Sequence, residues 1–329
     1  MRSQRKPQRI YRFRPGRYEP LRRALLILCA VVLVVSVWQL GSYIIQYRRS
    51  VKLSAELREA YMTALQTEIT EVPPVVTQAP TATPPPAQPT AEPEDEAPTE
   101  MPVATLDPLG TLPPQPYPMN PYRLISDRFQ KLRRQNVDIV GWLTVGDMLS
   151  EAVVQRDNTY YLRRDYRGYH NDNGAIFLDE ACGLQNRPYT YTLYGHNMKS
   201  GAMFGNLRYY DNVSFYRSNP FIDFDTIYED GRYVIFSVAE VSIDARDYNY
   251  SGFYRLNSCT NLEREAIIKR LRDLSRHTCV IDVNVDDQLL LLVTCVGDDE
   301  DRRIVAARRL RDDETETAVY QRIQQVYTK

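Results

Sequence analysis

The 329 residues carry 41 Lys or Arg against 42 Asp or Glu, and a net charge of -1 with a near-neutral globular part gives no case for nucleic acid. No Cys or His cluster has zinc spacing and no Gly-rich phosphate loop occurs, so no metal and no cofactor is expected. Composition is uneven along the chain: 16 of the 21 prolines fall between Pro73 and Pro121, which leaves about 210 residues for one globular core.

In chain order, residues 1–23 form a basic tail with nine Arg or Lys against one acid, Glu19. Residues 24–45, ALLILCAVVLVVSVWQLGSYII, are 22 without a charge, which at about 1.5 Å per helical residue spans a hydrocarbon core about 30 Å thick. A single-pass transmembrane helix is expected, uncleaved because no small-x-small site follows it. The basic tail assigns the N-terminus to the cytoplasm and the rest of the chain to the outside, although Arg48, Arg49 and Lys52 blunt the bias. Residues 46–72 have apolar positions at helical spacing (Leu53, Leu57, Tyr61, Leu65) and are read as a juxtamembrane helical stalk. Residues 73–121, rich in Pro, Thr, Ala and Glu, have too little apolar matter to bury and are read as a disordered linker.

The globular part, 122–329, opens on a helical stripe over Tyr122–Asn136 (Leu124, Phe129, Leu132). Short β-prone runs follow at Ile139–Val145, Ala152–Gln155, Ala175–Leu178, Thr190–Tyr194, Tyr233–Ile243 and Leu289–Thr294. One inserted helix is expected over Asn261–His277, with Leu262, Ile267, Ile268, Leu271 and Leu274 on its apolar face. Many short strands with few helices predict a closed or nearly closed β-barrel, a mainly β fold with helices attached.

The chemistry concentrates at Gln288–Leu310, where an apolar run ends on Cys295 and a second begins after Arg302 and Arg303. A cysteine nucleophile needs a nearby base or cation. Of the three histidines, His170 lies in a polar turn and His277 is placed at the end of the long helix, where a cation complements the dipole. His196 follows a strand-like run and a glycine, at a strand end. Local spacing alone does not pair it with Cys295, since most buried cysteines are inert core residues. Cys259 and Cys279 flank the inserted helix, whose own rise holds its ends far apart, so free buried thiols are favoured over a disulfide.

Tyr194-Gly195-His196-Asn197-Met198-Lys199 with Met203-Phe204-Gly205-Asn206-Leu207 resembles the histidine motif of the class B sortases. Thr294-Cys295, eight residues before Arg303 in RRIV, resembles the family's cysteine and arginine motifs, and NVDIVGWLTV, VVQRDNTYYL and GAIFLD match upstream in the same order. The resemblance covers roughly residues 129–310. It implies an eight-stranded sortase-type β-barrel and a membrane-anchored cysteine transpeptidase, which joins a C-terminal sorting signal of a secreted protein to an amine of a cell-wall precursor or pilin. Carried over by motif, Cys295 is the nucleophile, His196 the general acid and base, and Arg303 the oxyanion donor, preferred to Arg302 because it directly precedes Ile304 and Val305. Asn158 and Leu162 match positions that line the signal groove, and Thr294 is read either as contacting the bound peptide through its hydroxyl or as filling a strand position. Val293 stands where the family often has serine, a departure that bears on which peptide is accepted. A surface cysteine protease and a non-catalytic surface scaffold are the competing readings.

Overall fold

Short runs of apolar, β-branched and aromatic residues, most of them buried along their length, form most of the strands, and the strands close on themselves. The protein is represented by a computed structural model that describes residues 19–71, 117–296 and 298–329. Eight strands, β1 (Ile139–Val145), β2 (Leu149–Val154), β3 (Ile176–Leu178), β4 (Thr190–Tyr194), β5 (Phe221–Thr226), β6 (Arg232–Ser242), β7 (Leu289–Val296) and β8 (Asp298–Arg309), form a closed barrel. Their order round the barrel is β1-β2-β3-β4-β7-β8-β6-β5. Two pairings are parallel, β2 with β3 and β4 with β7, and the others are antiparallel. Closure leaves no free sheet edge. Leu289–Val293 is buried at every position because β7 is covered on both faces, which explains its unbroken apolar sequence.

β5 is the strand that the sequence reading did not find. Its alternation is clear in the structure, with Ile222, Phe224 and Thr226 buried and Phe221, Asp223 and Asp225 partly exposed, but two aspartates in six residues hide it. The helices also differ in extent from the reading. α1 is Glu19–Glu71, α2 Asp127–Arg133, α3 Val213–Ser218, α4 Asn261–Asp273 and α5 Glu316–Ile323. α4 is started by a capping box, Thr260 with Glu263, and stops four residues before His277. Leu262, expected on its buried face, is exposed, and Arg264 is buried in its stead with its guanidinium 4.3 Å from the Tyr189 ring centroid. Leu124, expected in the first helix of the globular part, lies ahead of α2 and is exposed.

The described residues divide into two compact units, one ending at Lys52 and one beginning at Leu53. In the first, Leu25, Leu26, Ile27, Leu28, Val32, Leu33 and Val34 are all exposed, an apolar surface with nothing to bury it. This helix is long and apolar enough to cross a membrane. In the second, residues 53–71 differ from the stalk expected of them. Leu57 and Tyr61 are buried in the barrel's hydrophobic cluster, and Tyr61 stacks on Trp142 of β1 at 4.3 Å and 4°. The Tyr61 hydroxyl donates to Asp225 Oδ2 (2.6 Å), and Arg128, itself buried, bonds Glu68 and Asp230. The reason is the Leu57/Tyr61/Leu65 stripe, which finds a partner on the barrel. The globular unit also reaches upstream of residue 122: Tyr117 is buried and its hydroxyl donates to Leu184 O (3.0 Å). Residues 72–116, most of the expected linker, and residues 1–18 of the basic tail lie outside the described residues.

Two carboxyls at this helix–barrel seam are held above their ordinary range. Burial pushes Glu151 up to about 7, partly offset by a hydrogen bond from Ser54 and the charge of Arg58. Burial and the neighbouring charge of Asp230 push Asp225 up to about 6, against Tyr61 and Arg128. A raised carboxyl contributes stability that is fully present below its unfolded value and is lost as pH rises through its folded value. These two groups therefore stabilise the docked helix fully below their ordinary values, 3.8 for Asp225 and 4.5 for Glu151, and lose that contribution as pH climbs from there through about 6 and about 7. Thermal unfolding of the detergent-solubilised protein is expected to show part of this slope vanish in Glu151→Gln. Identical slopes in wild type and variant would contradict it.

Candidate active site

Parallel pairing of β4 with β7 puts Tyr194 opposite Val293, so the chain leaving β4 emerges beside the end of β7. Gly195 follows, its N–H donating to Val293 O (3.3 Å), and the Phe204 ring packs so close that a Cβ at 195 would stand 2.8 Å from it. The loop then folds back on itself, with Met198 N–H and Phe204 N–H both donating to the His196 carbonyl (3.1 and 3.0 Å). This presents the half-buried His196 imidazole to a cleft of about 470 Å³, with Nε2 2.7 Å from Leu162 O.

The cleft is mostly apolar, walled by Leu162, Phe177, Val293, Ile243 and Phe253, with Tyr194, Tyr254, Asn158 and Arg302 as its polar groups besides His196. Asn158 and Leu162 are thus in the cleft, as the sequence reading expected. The Asn158 amide is held at both ends: Oδ1 accepts from Glu180 N–H (3.0 Å) and Nδ2 donates to Asp179 Oδ1 (3.4 Å). Tyr194 donates to the other oxygen of the same carboxylate (2.8 Å), and burial beside Asp179 drives its phenol well above the usual range. Thr294 also borders the cleft but is buried, and its hydroxyl has no hydrogen-bond partner among the described residues.

The two arginines are separated by the β7–β8 register. Cys295 pairs with Arg302 and Thr294 with Arg303. The Cys295 side chain lies outside the described residues; its backbone is the penultimate position of β7. Arg302 borders the cleft with His196, whereas Arg303 does not. Arg303 is the arginine that the motif prefers as oxyanion donor. Its guanidinium is buried and bonded through Nη2 to Glu240 (2.7 Å) and Asp211 (3.0 Å), in a separate polar pocket that also includes Arg276. Neighbours along a strand face opposite ways, so one of the pair must turn from the cleft.

The remaining chemistry-bearing groups are accounted for elsewhere. His277 lies beyond α4 and is fully buried, its Nε2 2.7 Å from Tyr210 O, so it is a core residue and not part of the helix end. His170 is exposed. Cys182, Cys259 and Cys279 are free thiols, and burial pushes Cys182 up to about 12, away from nucleophilic use. Among the described residues no group of His, Cys, Asp and Glu is placed to hold a metal. Sequence reasoning missed Ile243, Phe253 and Tyr254, which come from the segment after β6 and carry no local signal.

Over 177 residues the chain is 32% identical to the sortase B of Staphylococcus aureus, an alignment covering 52% of this chain and 68% of that protein. The chain belongs to the sortase B family. The sortase B of Listeria monocytogenes is similar too, 29% identical over 175 residues with the same coverage. No protein-family model matches the chain. Among solved structures, a Bacillus anthracis sortase B in complex with AAEK2 is similar at a TM-score of 0.52 and 27% identity, covering 62% of this chain and 90% of that one. The Staphylococcus aureus sortase B–substrate complex is similar at 0.52 and 26%, covering 58% and 88%. The family is one of cysteine transpeptidases, and the eight-stranded barrel agrees with it.

The two arginines are expected to separate by measurement. Arg302→Ala should keep the fold and lower Cys295 acylation by a factor on the order of 10² to 10³, the cost of an oxyanion donor. Arg303→Ala should lower stability by about 1–3 kcal/mol, because it leaves Asp211 and Glu240 with only the more distant Arg276 against them, with little loss of acylation per folded molecule. Intact-mass acylation rates beside unfolding curves decide it, and the reverse pattern would restore Arg303 to the reaction.

Proposed function

We propose that this sortase works as a membrane-anchored transpeptidase outside the cell, its N-terminus cytoplasmic, cleaving the C-terminal sorting signal of secreted proteins and passing the acyl group to an amine of a cell-wall precursor or pilin. The observation that carries the reading is the convergence of His196 and Arg302 on one cleft at the end of β7, where the ladder sets Cys295 opposite Arg302. The exposed apolar helix near the N-terminus supports the anchor, and the basic tail before it supports the orientation.

In this mechanism the Cys295 thiolate attacks the scissile carbonyl carbon, and the oxyanion that forms accepts hydrogen bonds from the Arg302 guanidinium, a rigid fork that stays charged. The C–N bond breaks as His196 delivers its proton to the departing amine, which leaves a thioester on Cys295. The incoming amine then attacks the thioester, His196 takes its proton, and the thiolate is released. Asn158, Leu162 and Thr294 are the residues proposed to border the bound signal. The scarcity of polar walls suits a peptide with an apolar side chain against Leu162, Phe177 and Val293.

A library of candidate signal peptides incubated with the full-length protein should give an acyl adduct on Cys295 by intact mass. With an amine in excess the adduct should resolve to an amide product. Cys295→Ala should abolish the adduct, and His196→Ala should lower its rate by about 10² or more. Release to water alone, with the amine present in excess, would make the protein a surface cysteine protease instead.

A further inference from the structure

An imidazole that hands protons in two directions needs one nitrogen held, so that the other is free for the reaction. His196 Nε2 stands 2.7 Å from the Leu162 carbonyl oxygen. A carbonyl only accepts, so this contact requires the proton on Nε2 and leaves Nδ1 as the nitrogen that exchanges protons.

The carbonyl is itself held. Leu162 lies in a 3-10 turn, Tyr160–Arg163, whose carbonyls are tied to the segment that returns beside it: Asn171 N–H donates to Arg163 O (3.0 Å) and Ala175 N–H to Tyr161 O (3.1 Å). Gly174, at the close of that segment, is buried and has φ +63°. A Cβ there would stand 2.7 Å from Leu162 O, 2.8 Å from Tyr161 O and 3.1 Å from His196 Cδ2. Two carbonyls and the edge of the imidazole converge on a point that only a hydrogen side chain leaves open. The left-handed backbone favours glycine as well, but the convergence is a separate constraint.

We propose that the Leu162 carbonyl, kept in line by the bare Gly174, is the positioning group for His196, holding the proton on Nε2 and turning Nδ1 to the reaction. The backbone carbonyl thereby orients the ring as a carboxylate orients it in other catalytic constellations. This rests on the reading of His196 as the general acid and base, and it names what keeps that residue in its working tautomer.

Only three imidazoles exist in the chain, so ¹⁵N-histidine labelling of the full-length protein in detergent gives a short spectrum, and His196→Ala assigns the signal. In wild type the neutral His196 ring is expected to carry its proton on Nε2. In Gly174→Ala the signal should move toward a mixture of tautomers, and the rate of Cys295 acylation by the peptide identified from the library should fall about 10-fold or more, with the half-saturating peptide concentration changed less than about threefold. Gly168→Ala is the strain control: φ there is +85°, and the atom a Cβ would meet is the Tyr160 hydroxyl, so tautomer and rate should both hold. A neutral wild-type ring protonated on Nδ1 overturns the proposal without any variant, even if Gly174→Ala fails to fold. So does a Gly174→Ala protein with wild-type tautomer and rate. Full activity in His196→Ala is a different result, which removes the acid–base reading itself.

Discussion

The register between β7 and β8 is the constraint on which the site depends. Arg303 anchors one side of it. Its buried guanidinium bridges Glu240, its cross-strand partner on β6, and Asp211 at the end of the 3-10 turn Gly205–Asp211. A slip of one residue would take this charge away from both carboxylates and turn it to the cleft, while Arg302 would be driven among the buried groups. Stranding a buried charge is costly, so the ion pair favours the register that keeps Arg303 with its carboxylates and Arg302 at the cleft. The ladder alone would tolerate either choice.

A second constraint acts from outside the barrel. Tyr61 lies flat on Trp142, and Trp142 is tied by its indole N–H to Ser150 Oγ (3.0 Å), so the helix, β1 and β2 are one packed layer. Arg128 binds α2 to the same layer, standing over both Tyr61 and Phe129 while it bonds Glu68 and Asp230. Polar groups of this layer bond one another, Tyr61 to Asp225 and Arg128 to Glu68 and Asp230, and burial of Asp225 and Glu151 is what makes its strength depend on pH. β2 leads by way of Gln155 and Asn158 to the turn whose Leu162 carbonyl meets the His196 ring.

Much of the barrel was legible because its strands announce themselves by β-branched and aromatic runs, and the motifs around His196 and Cys295 marked the chemistry. β5 was not legible, since Asp223 and Asp225 sit on the outward face of an alternation only six residues long. The docking of residues 53–71 was half legible. The stripe Leu53, Leu57, Tyr61 and Leu65 was read, but a stripe does not say what it faces, and its partner Trp142 lies some eighty residues away. The choice between Arg302 and Arg303 was hard to read for a related reason. Adjacent arginines are equivalent in a linear pattern, and the carboxylates that discriminate between them, Asp211 and Glu240, come from distant segments.

The polar frame behind the cleft shows how little of the site's selectivity can come from its polar wall. Asp179 takes the Tyr194 hydroxyl on one oxygen and the Asn158 amide on the other, and Asn158 returns its oxygen to the Glu180 amide. An amide offers two donors and two acceptor positions, so Asn158 keeps one of each for a ligand, in a direction its frame has already set. Val293 and Leu162 bring no polar atom from their side chains, and the Leu162 carbonyl is engaged by His196. Under the proposed function, discrimination among peptides falls to the fit of apolar side chains, worth about 1–3 kcal/mol per methylene, and to the few backbone hydrogen bonds the frame allows. In this chain the group that a serine would have supplied at position 293 is replaced by a surface that rewards burial, and the polar residues of the cleft hold the geometry in which that burial occurs.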